Sequence, residues 1–500
     1  MGLKSILSIP LARVIAWRIE YVRKNAVICQ ERVLKGLIRT ACKTSFGLDH
    51  HFKAVSTYAD FKQQVPLADY EQLKPYIDRL TRGEENVLWP GKPIYFSKTS
   101  GTTSGTKFIP VTSASIHNHI NSARDALLMY IHETGNSKFL NGKLLFLSGS
   151  PRLSLTAGIK TGRLSGIVNH HIPAYLQNNQ VPDLETNSID DWEQKVDAIL
   201  DEVIPKPLSL ISGIPPWVQM FFDRLIQRTG KSVTEIFPQL SVYVYGGVNY
   251  EPYRARMEST MGSGIDTIET YPASEGFIAY QDTRHEPGML LVVDSGIFYE
   301  FIPLEYIADP GDHRLSLQEV ECNRNYAIVL NTNAGLWGYI IGDTVRFTSV
   351  SPYRLVVTGR ISHFISAFGE HVIAGEVDAA IQDQSGENGA EVTEYTVAPQ
   401  VNPPQGELPY HEWFIEFGKA PADLNAYRIN LDSALQRKNS YYKDLIQGGI
   451  LQPLKITLMQ KDTFISYMRK EGKLGGQNKM PRLANNREIA EQLSSYRQKI

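Results

Sequence analysis

The sequence predicts an α/β protein in two parts: a large N-terminal domain of layered sheets and helices, and a small C-terminal α+β lobe. Length is the first reason, because 500 residues exceed one core when domains run to roughly 150 residues each. The second is that, from about residue 90 to residue 360, short apolar runs bounded by Gly and Pro alternate with helical segments, which is the signature of α/β layering. The third is a change of pattern after residue 360 to helix, two strands, helix and strand, the order of a ferredoxin-like lobe. The predicted domains are therefore 1–359 and 360–500.

The elements follow in chain order. Up to Arg39, Lys4, Arg13, Arg18, Arg23, Lys24, Arg32, Lys35 and Arg39 face only Glu20 and Glu31. Leu11, Ile15, Ile19 and Val22 recur at helical spacing, so this stretch predicts an amphipathic helix with its basic residues opposite an apolar stripe. Packing on its own domain is the reading preferred over a membrane-surface helix. Strands are predicted at 93–96, 144–148, 208–211, 242–245, 290–293 and 327–331. In the lobe, a helix at 374–381 precedes strands at 391–398 and 412–417, a helix at 421–436, a strand at 454–458 and a polar tail.

Composition excludes several classes. Hydrophobic residues at 42% supply ample core, which removes disorder and fibres. Lys and Arg number 51 against 53 Asp and Glu, a net charge of −2, so no global field steers the chain toward nucleic acid. Cys29, Cys42 and Cys322 form no C-x-x-C pair, which fits a reducing compartment and neither a disulfide framework nor a zinc ribbon. No eighteen-residue window is apolar enough to span a bilayer, and Pro10 and Arg13 interrupt the first apolar run. A cytoplasmic protein is expected, with no membrane span and its oligomeric state open.

Three segments carry chemistry. Ser97-Lys98-Thr99-Ser100-Gly101-Thr102-Thr103-Ser104-Gly105-Thr106-Lys107 concentrates hydroxyls, glycines and lysines, and is expected to join a strand to a helical segment from about Ser113. Backbone N–H groups freed by glycine, hydroxyl donors and the Lys107 charge suit a polyphosphate, although Thr106 stands where a Walker A loop needs Gly. An ordinary Ser/Thr-rich surface loop is the alternative. Tyr271-Pro272-Ala273-Ser274-Glu275-Gly276 offers Glu275 to a nucleotide-bound Mg²⁺, or simply a solvated carboxylate. Gly335-Leu336-Trp337-Gly338-Tyr339-Ile340-Ile341-Gly342-Asp343 delivers Asp343 past a glycine, where it can accept ribose hydroxyls or sit in a β-turn. G-x-S-x-G, H-E-x-x-H and G-x-G-x-x-G are all absent, and the pairs His50-His51 and His170-His171 read as structural or surface residues.

In this order the segments resemble the acyl-adenylating superfamily and, within it, the Gretchen Hagen (auxin-responsive) acyl-acid amido synthetases. Residues 100–107 resemble the family's phosphate motif, 271–275 its second nucleotide motif and 339–343 its third. Gln477-Asn478-Lys479-Met480-Pro481-Arg482 resembles its C-terminal lysine signature. The resemblance implies a large domain holding ATP and acid, and a mobile lobe that swings over it. It assigns the nucleotide to Ser100, Gly101, Thr102, Thr103, Ser104, Tyr271, Ser274 and Tyr339, with Gly246 and Gly247 along the adenine and Asp343 and Arg360 at the ribose. Glu275 holds Mg²⁺, and Lys107 and Lys479 are catalytic cations. At the hinge this chain departs from the superfamily, with Ser362, His363 and Ser366 where Asp or Lys is usual.

The implied reaction is ATP-dependent activation of a carboxylic acid as an acyl-adenylate, followed by transfer to the amine of an amino acid. An AMP-forming acyl-CoA ligase is the alternative, since Gly369-Glu370-His371-Val372 resembles the general ligase lobe. Residues 211–217 with Trp217 and Met220, and the helix over 118–130, are the expected walls of the acyl pocket.

Overall fold

Helices Leu3–Lys24 and Ala26–Ala41 open the chain in the computed structural model, which describes all residues except 1, 101–105, 173, 190, 248–249, 308, 362–363, 366–371, 402, 404–406, 448–450, 475–478, 485 and 498–500. The first helix packs on its own domain, against helix Ile116–Thr134, through a stripe that overlaps the expected one: Ile19 is buried, and Ile15 and Val22 are partly buried against the cores. Ser5, Ser8, Ala12, Ala16 and Ile19 are buried, whereas Leu11 is exposed. Ala12 and Ala16 present small side chains to a cluster in which Leu128 and Met129 of the partner helix supply the bulk.

Eleven strands among the described residues form the main sheet. Its order is Ile297–Pro303, Asn325–Thr332, Tyr339–Val350, Tyr353–Arg360, Met289–Leu291, Gly276–Tyr280, Asp266–Ala273, Val242–Gly246, Leu208–Ser212, Lys143–Phe146 and Gln180–Val181. From Asp266–Ala273 onward neighbouring strands run parallel, whereas Gly276–Tyr280 returns antiparallel. All six strands predicted from apolar runs occur, with ends shifted by at most four residues. A second sheet of four strands joins Thr106–Val111, Tyr95–Ser100, Ile159–Gly162 and Ser154–Thr156.

Under the antiparallel half, Trp337 is fully buried between Phe46, stacked at 5.9 Å, and Phe52, edge-on at 4.8 Å. Next to it, buried Glu300 accepts hydrogen bonds from Arg314 at 2.5 and 2.7 Å, Asn331 at 2.7 Å and Tyr58 at 3.0 Å. A buried charge is tolerated only when its oxygens are answered in this way.

The chain divides into two compact units. One comprises Met1–Val248, Thr260–Ile341 and Val345–Val356; the other comprises Asn249–Ser259, Gly342–Thr344 and Val357–Ile500. The smaller unit holds the sheet Glu391–Gln400, Tyr410–Lys419 and Lys455–Leu458, with helices Ala374–Asn388 and Leu424–Lys438 packed together beside it. The predicted helix and strand order is present, but the sheet has three strands among the described residues and not the four of a ferredoxin fold. Phe364–Ile365 pairs instead with Val372–Ile373 in a separate ribbon. The segment expected to be a polar tail contains helices Thr463–Lys470 and Glu488–Leu493, because Phe464, Tyr467, Ala490 and Leu493 recur at helical spacing and are buried on Phe414. Among the described residues no helix is long and apolar enough to cross a membrane.

Candidate active site

Strands Tyr95–Ser100 and Thr106–Val111 pair antiparallel with Ser100 opposite Thr106. Residues 101–105 connect these two arms, so Gly101, Thr102, Thr103 and Ser104 of the expected phosphate cradle lie outside the described residues. The expected passage from strand directly to helix is corrected: a second strand intervenes. Phe108, Ile109 and Val111 favour extended backbone, and the helix starts only after Thr112 and Ser115 have exchanged side-chain-to-backbone hydrogen bonds of 2.9 and 3.0 Å. The described part of the hydroxyl-rich segment, residues 97–100 and 106–107, therefore lies in two paired antiparallel strands.

Cross-strand partners share a face, so Thr99 and its partner Lys107 lie on the same side as Ser97 and its partner Ile109. The Lys107 ammonium sits 5.3 Å from the ring centroid of Tyr70, a cation–π contact. The Tyr70 hydroxyl in turn accepts the Phe108 N–H at 2.9 Å, which fixes the ring beneath the hairpin.

The second segment also forms a hairpin. Tyr271, Pro272 and Ala273 end strand Asp266–Ala273, Gly276 begins the next strand opposite Ala273, and Ser274 and Glu275 make the two-residue turn between them. Two tethers bring this turn to the first hairpin. The Ser97 and Ser274 hydroxyls are hydrogen-bonded at 3.0 Å across 177 residues of sequence. Asn118, buried on the helix that follows the first hairpin, accepts the Phe277 N–H at 2.6 Å and donates to the Phe277 carbonyl at 3.2 Å. The side chain of Asn118 thus acts as an extra strand partner and sets the register of the Glu275 hairpin against the helix.

Gly246 ends a parallel strand in register with Thr270, and the Thr270 hydroxyl donates to the Tyr245 carbonyl at 2.9 Å. A Cβ on Gly246 would stand 2.2 Å from the Thr270 carbonyl oxygen, so only glycine permits this approach. Gly247 follows at φ +79°, a left-handed turn away from the sheet. These residues lie at the carboxyl ends of the parallel strands, where open α/β sheets bind their ligands. Tyr271 and Tyr339 are both buried in the main core. Gly338, at φ +54°, lets the backbone reach Pro66, and Ala68 bridges Tyr339.

Within the smaller unit, Asp343 follows Gly342, whose carbonyl accepts the Ile361 N–H at 2.7 Å, so Asp343 lies beside the Arg360–Ile361 stretch of the neighbouring strand. The Thr344 and Thr358 hydroxyls are hydrogen-bonded at 3.0 Å across the same pair of strands. Lys479 is exposed. It does not belong to a loose tail, because the chain just after it is fastened to strand Glu391–Gln400: the Pro481 carbonyl accepts from the Thr396 hydroxyl at 2.7 Å, and the Arg482 carbonyl from the Val397 N–H at 2.9 Å. Arg482 also pairs with Glu394, and Met480 is buried. Gln477 and Asn478, with Ser362, His363, Ser366 and 369–371, lie outside the described residues.

The expected acyl wall is mostly core. Trp217 is buried against Trp192 with ring centroids 4.7 Å apart, and the Met220 sulfur accepts the Trp192 indole N–H at 3.3 Å. The adjacent histidines are partnered as structural residues: His50 with the Gln64 carbonyl at 2.8 Å, His170 with the Pro151 carbonyl at 3.0 Å and His171 with the Tyr95 hydroxyl at 3.0 Å. No cluster of three or more His, Cys, Asp or Glu able to hold a metal occurs among the described residues. A single carboxylate such as Glu275, at a hairpin turn beside the Ser274 hydroxyl, is of the type that suits Mg²⁺, which takes one or two protein oxygens and completes its shell with phosphate and water.

Comparison with known proteins identifies the family and the fold. Residues 16–201 match the GH3 family N-terminal domain, 290–360 its central domain and 375–488 its C-terminal domain. The chain is 22% identical to indole-3-acetic acid-amido synthetase GH3.3 of Arabidopsis thaliana, over 95% of this chain and 92% of that one. It is likewise 22% identical to jasmonoyl-L-amino acid synthetase JAR4 of Nicotiana attenuata, over 65% and 67%. Its fold is similar to a solved GH3.15 acyl acid amido synthetase, with a TM-score of 0.80 at 16% identity over 98% and 97% of the two chains. A 2-hydroxyisobutyryl-CoA ligase in its postadenylation state shares the fold at a TM-score of 0.60 and 12% identity, over 93% and 91%.

Proposed function

This chain belongs to the GH3 family, and on that premise we propose that it is an ATP-dependent acid–amine ligase, which activates a carboxylic acid as an acyl-adenylate and passes the acyl group to the amine of an amino acid. The observation that supports this best is the Ser97–Ser274 hydrogen bond, because it joins a hydroxyl-rich hairpin and the Glu275 turn at the carboxyl ends of the parallel strands. Hydroxyls, a lysine and a carboxylate from distant segments then serve one polyphosphate.

The chemistry explains the need for them. A carboxylate approaching the α-phosphate at about 3.5 Å meets roughly 5 kcal/mol of charge repulsion at an effective dielectric near 20. That barrier is worth more than three orders of magnitude in rate. In our reading the hairpin hydroxyls and Lys107 hold the phosphates, Gly246 and Gly247 admit the adenine, Asp343 and Arg360 take the ribose, and Lys479 supplies the cation as charge builds on the α-phosphoryl oxygens. Glu275 would hold the Mg²⁺ of the nucleotide, which supplies further neutralisation. The acid's oxygen forms a bond to phosphorus and pyrophosphate leaves. The amine then attacks the acyl carbon, AMP leaves, and the amine proton passes to solvent. Residues 1–359 form the nucleotide- and acid-binding domain and 360–500 the lobe in this account.

Pyrophosphate release from ATP across a panel of carboxylic acids, with hydroxylamine as a generic acceptor, tests the proposal. Hydroxamate should form with at least one acid, and amino acids should replace hydroxylamine. Stimulation by coenzyme A alone would replace the amide reading with a thioester one, and silence across the panel would remove the enzyme reading.

A further inference from the structure

Helix Leu3–Lys24 turns its small residues inward and its large apolar residues outward. Ser5, Ser8, Ala12 and Ala16 are buried, while Ile6, Leu7, Leu11, Val14, Trp17 and Tyr21 are exposed, Trp17 to 77%. At 3.6 residues per turn those six fall on one continuous face. Scattered exposed apolar residues need no explanation, but six exposed on one helix face form a docking surface.

The charges around that face identify its occupant. Arg13 and Lys24 border it on one side and Lys4 and Arg18 on the other; Arg18 is ion-paired with Asp125, and Glu20, the helix's one acid, meets Arg23 and Lys24 at 3.1 and 3.2 Å, which among the described residues leaves Arg13 and Lys4, one on each border, with no acidic partner. The chain as a whole carries −2, so this basic concentration is local. A second copy of the chain, related by a two-fold axis through this face, would set the same basic borders against each other. A surface with dense negative charge and an apolar layer just beneath it answers both features. We propose that helix Leu3–Lys24 lies flat on an anionic lipid bilayer, with Trp17, Val14 and Leu7 in the boundary between headgroups and acyl chains and the basic borders on the headgroups. Trp and Tyr are favoured at that depth because an apolar ring ends in a polar N–H or O–H. Docking needs no rearrangement, since the buried stripe keeps the helix fixed to helix Ile116–Thr134 throughout.

The test is sedimentation of the full chain with vesicles of phosphatidylcholine alone and of phosphatidylcholine mixed with phosphatidylglycerol. Trp17 is a built-in reporter, because Trp192, Trp217, Trp337 and Trp413 are buried and Trp89 is partly so. The protein should bind the mixed vesicles, less so as salt rises, with a blue shift of emission and protection from acrylamide. Leu7→Glu/Val14→Glu, two exposed positions that leave Trp17 and the fold intact, should lower binding by about tenfold or more. Absence of binding to the mixed vesicles, or equal binding by the double variant, overturns the proposal. So does a wild-type dimer in light scattering that the double variant converts to monomer, which would assign the face to a second copy.

Discussion

Single residues give the sharpest outcomes. Lys479→Ala is expected to lower adenylate formation by at least two orders of magnitude while leaving ATP affinity within a few-fold, because its charge is asked to act on the transition state. Single-turnover pyrophosphate release and nucleotide binding measured side by side check this. Glu275→Ala should raise the Mg²⁺ concentration needed for half-maximal rate, and an unchanged magnesium curve would remove that residue from the metal. Burial holds His119 down to about 4, and among the described residues its Nδ1 has no hydrogen-bond partner. A depressed histidine leaves the folded protein neutral while the unfolded chain takes up a proton, so its contribution to stability is full above pH 6.5 and declines as pH falls toward 4. On the order of 3 kcal/mol is at stake. Urea titrations at pH 7 and pH 5 should show a smaller difference for His119→Gln than for the wild type. The hydroxyls, Glu275, Asp343 and Lys479 were all legible as residue types in the sequence. Asn118 was not, because nothing local marks a helical asparagine that serves strand backbone 159 residues away.

At the scale of elements, the two hairpins are held together by side chains more than by shared strands. Asn118→Leu removes two hydrogen bonds from Phe277 and leaves its buried N–H and carbonyl to compete for others, at a cost of roughly 2–4 kcal/mol. Activity should fall beyond what lost folding explains, which a thermal melt run beside the assay separates. Beneath the antiparallel strands, Arg314→Met strands the buried Glu300 charge and should cost about 3–5 kcal/mol in chemical denaturation. The double change Arg314→Met/Glu300→Met should recover most of that loss. Of the six strands read from apolar runs, Lys143–Phe146, Leu208–Ser212 and Val242–Gly246 are legible because a parallel strand buried on both faces is continuously hydrophobic, and Met289–Leu291 and Asn325–Thr332, though antiparallel, are buried in the same way. The strand Thr106–Val111 is hidden because Pro110 and the polar residues before it read as a loop. On the first helix hydrophobicity marks Ile15, Ile19 and Val22 as inward but also Leu11, which is exposed, and it passes over Ser5, Ser8, Ala12 and Ala16, which are buried.

For the whole molecule, order along the chain carried more than any one motif. Four segments resembling the family's signatures stand in its order, and the family match spans N-terminal, central and C-terminal regions. The identity of the acid and the amine was not legible, because specificity resides in pocket shape, and the aromatic residues expected to line the pocket, Trp217 foremost, are largely core. The central claim is that a carboxylate oxygen of the acid becomes bonded to the α-phosphorus of ATP. Turnover of an acid labelled with ¹⁸O in its carboxylate, followed by mass spectrometry of the nucleotide, tests it directly. One ¹⁸O in the AMP and none in the pyrophosphate is the predicted result; unlabelled AMP, or label in inorganic phosphate with ADP formed, would contradict it.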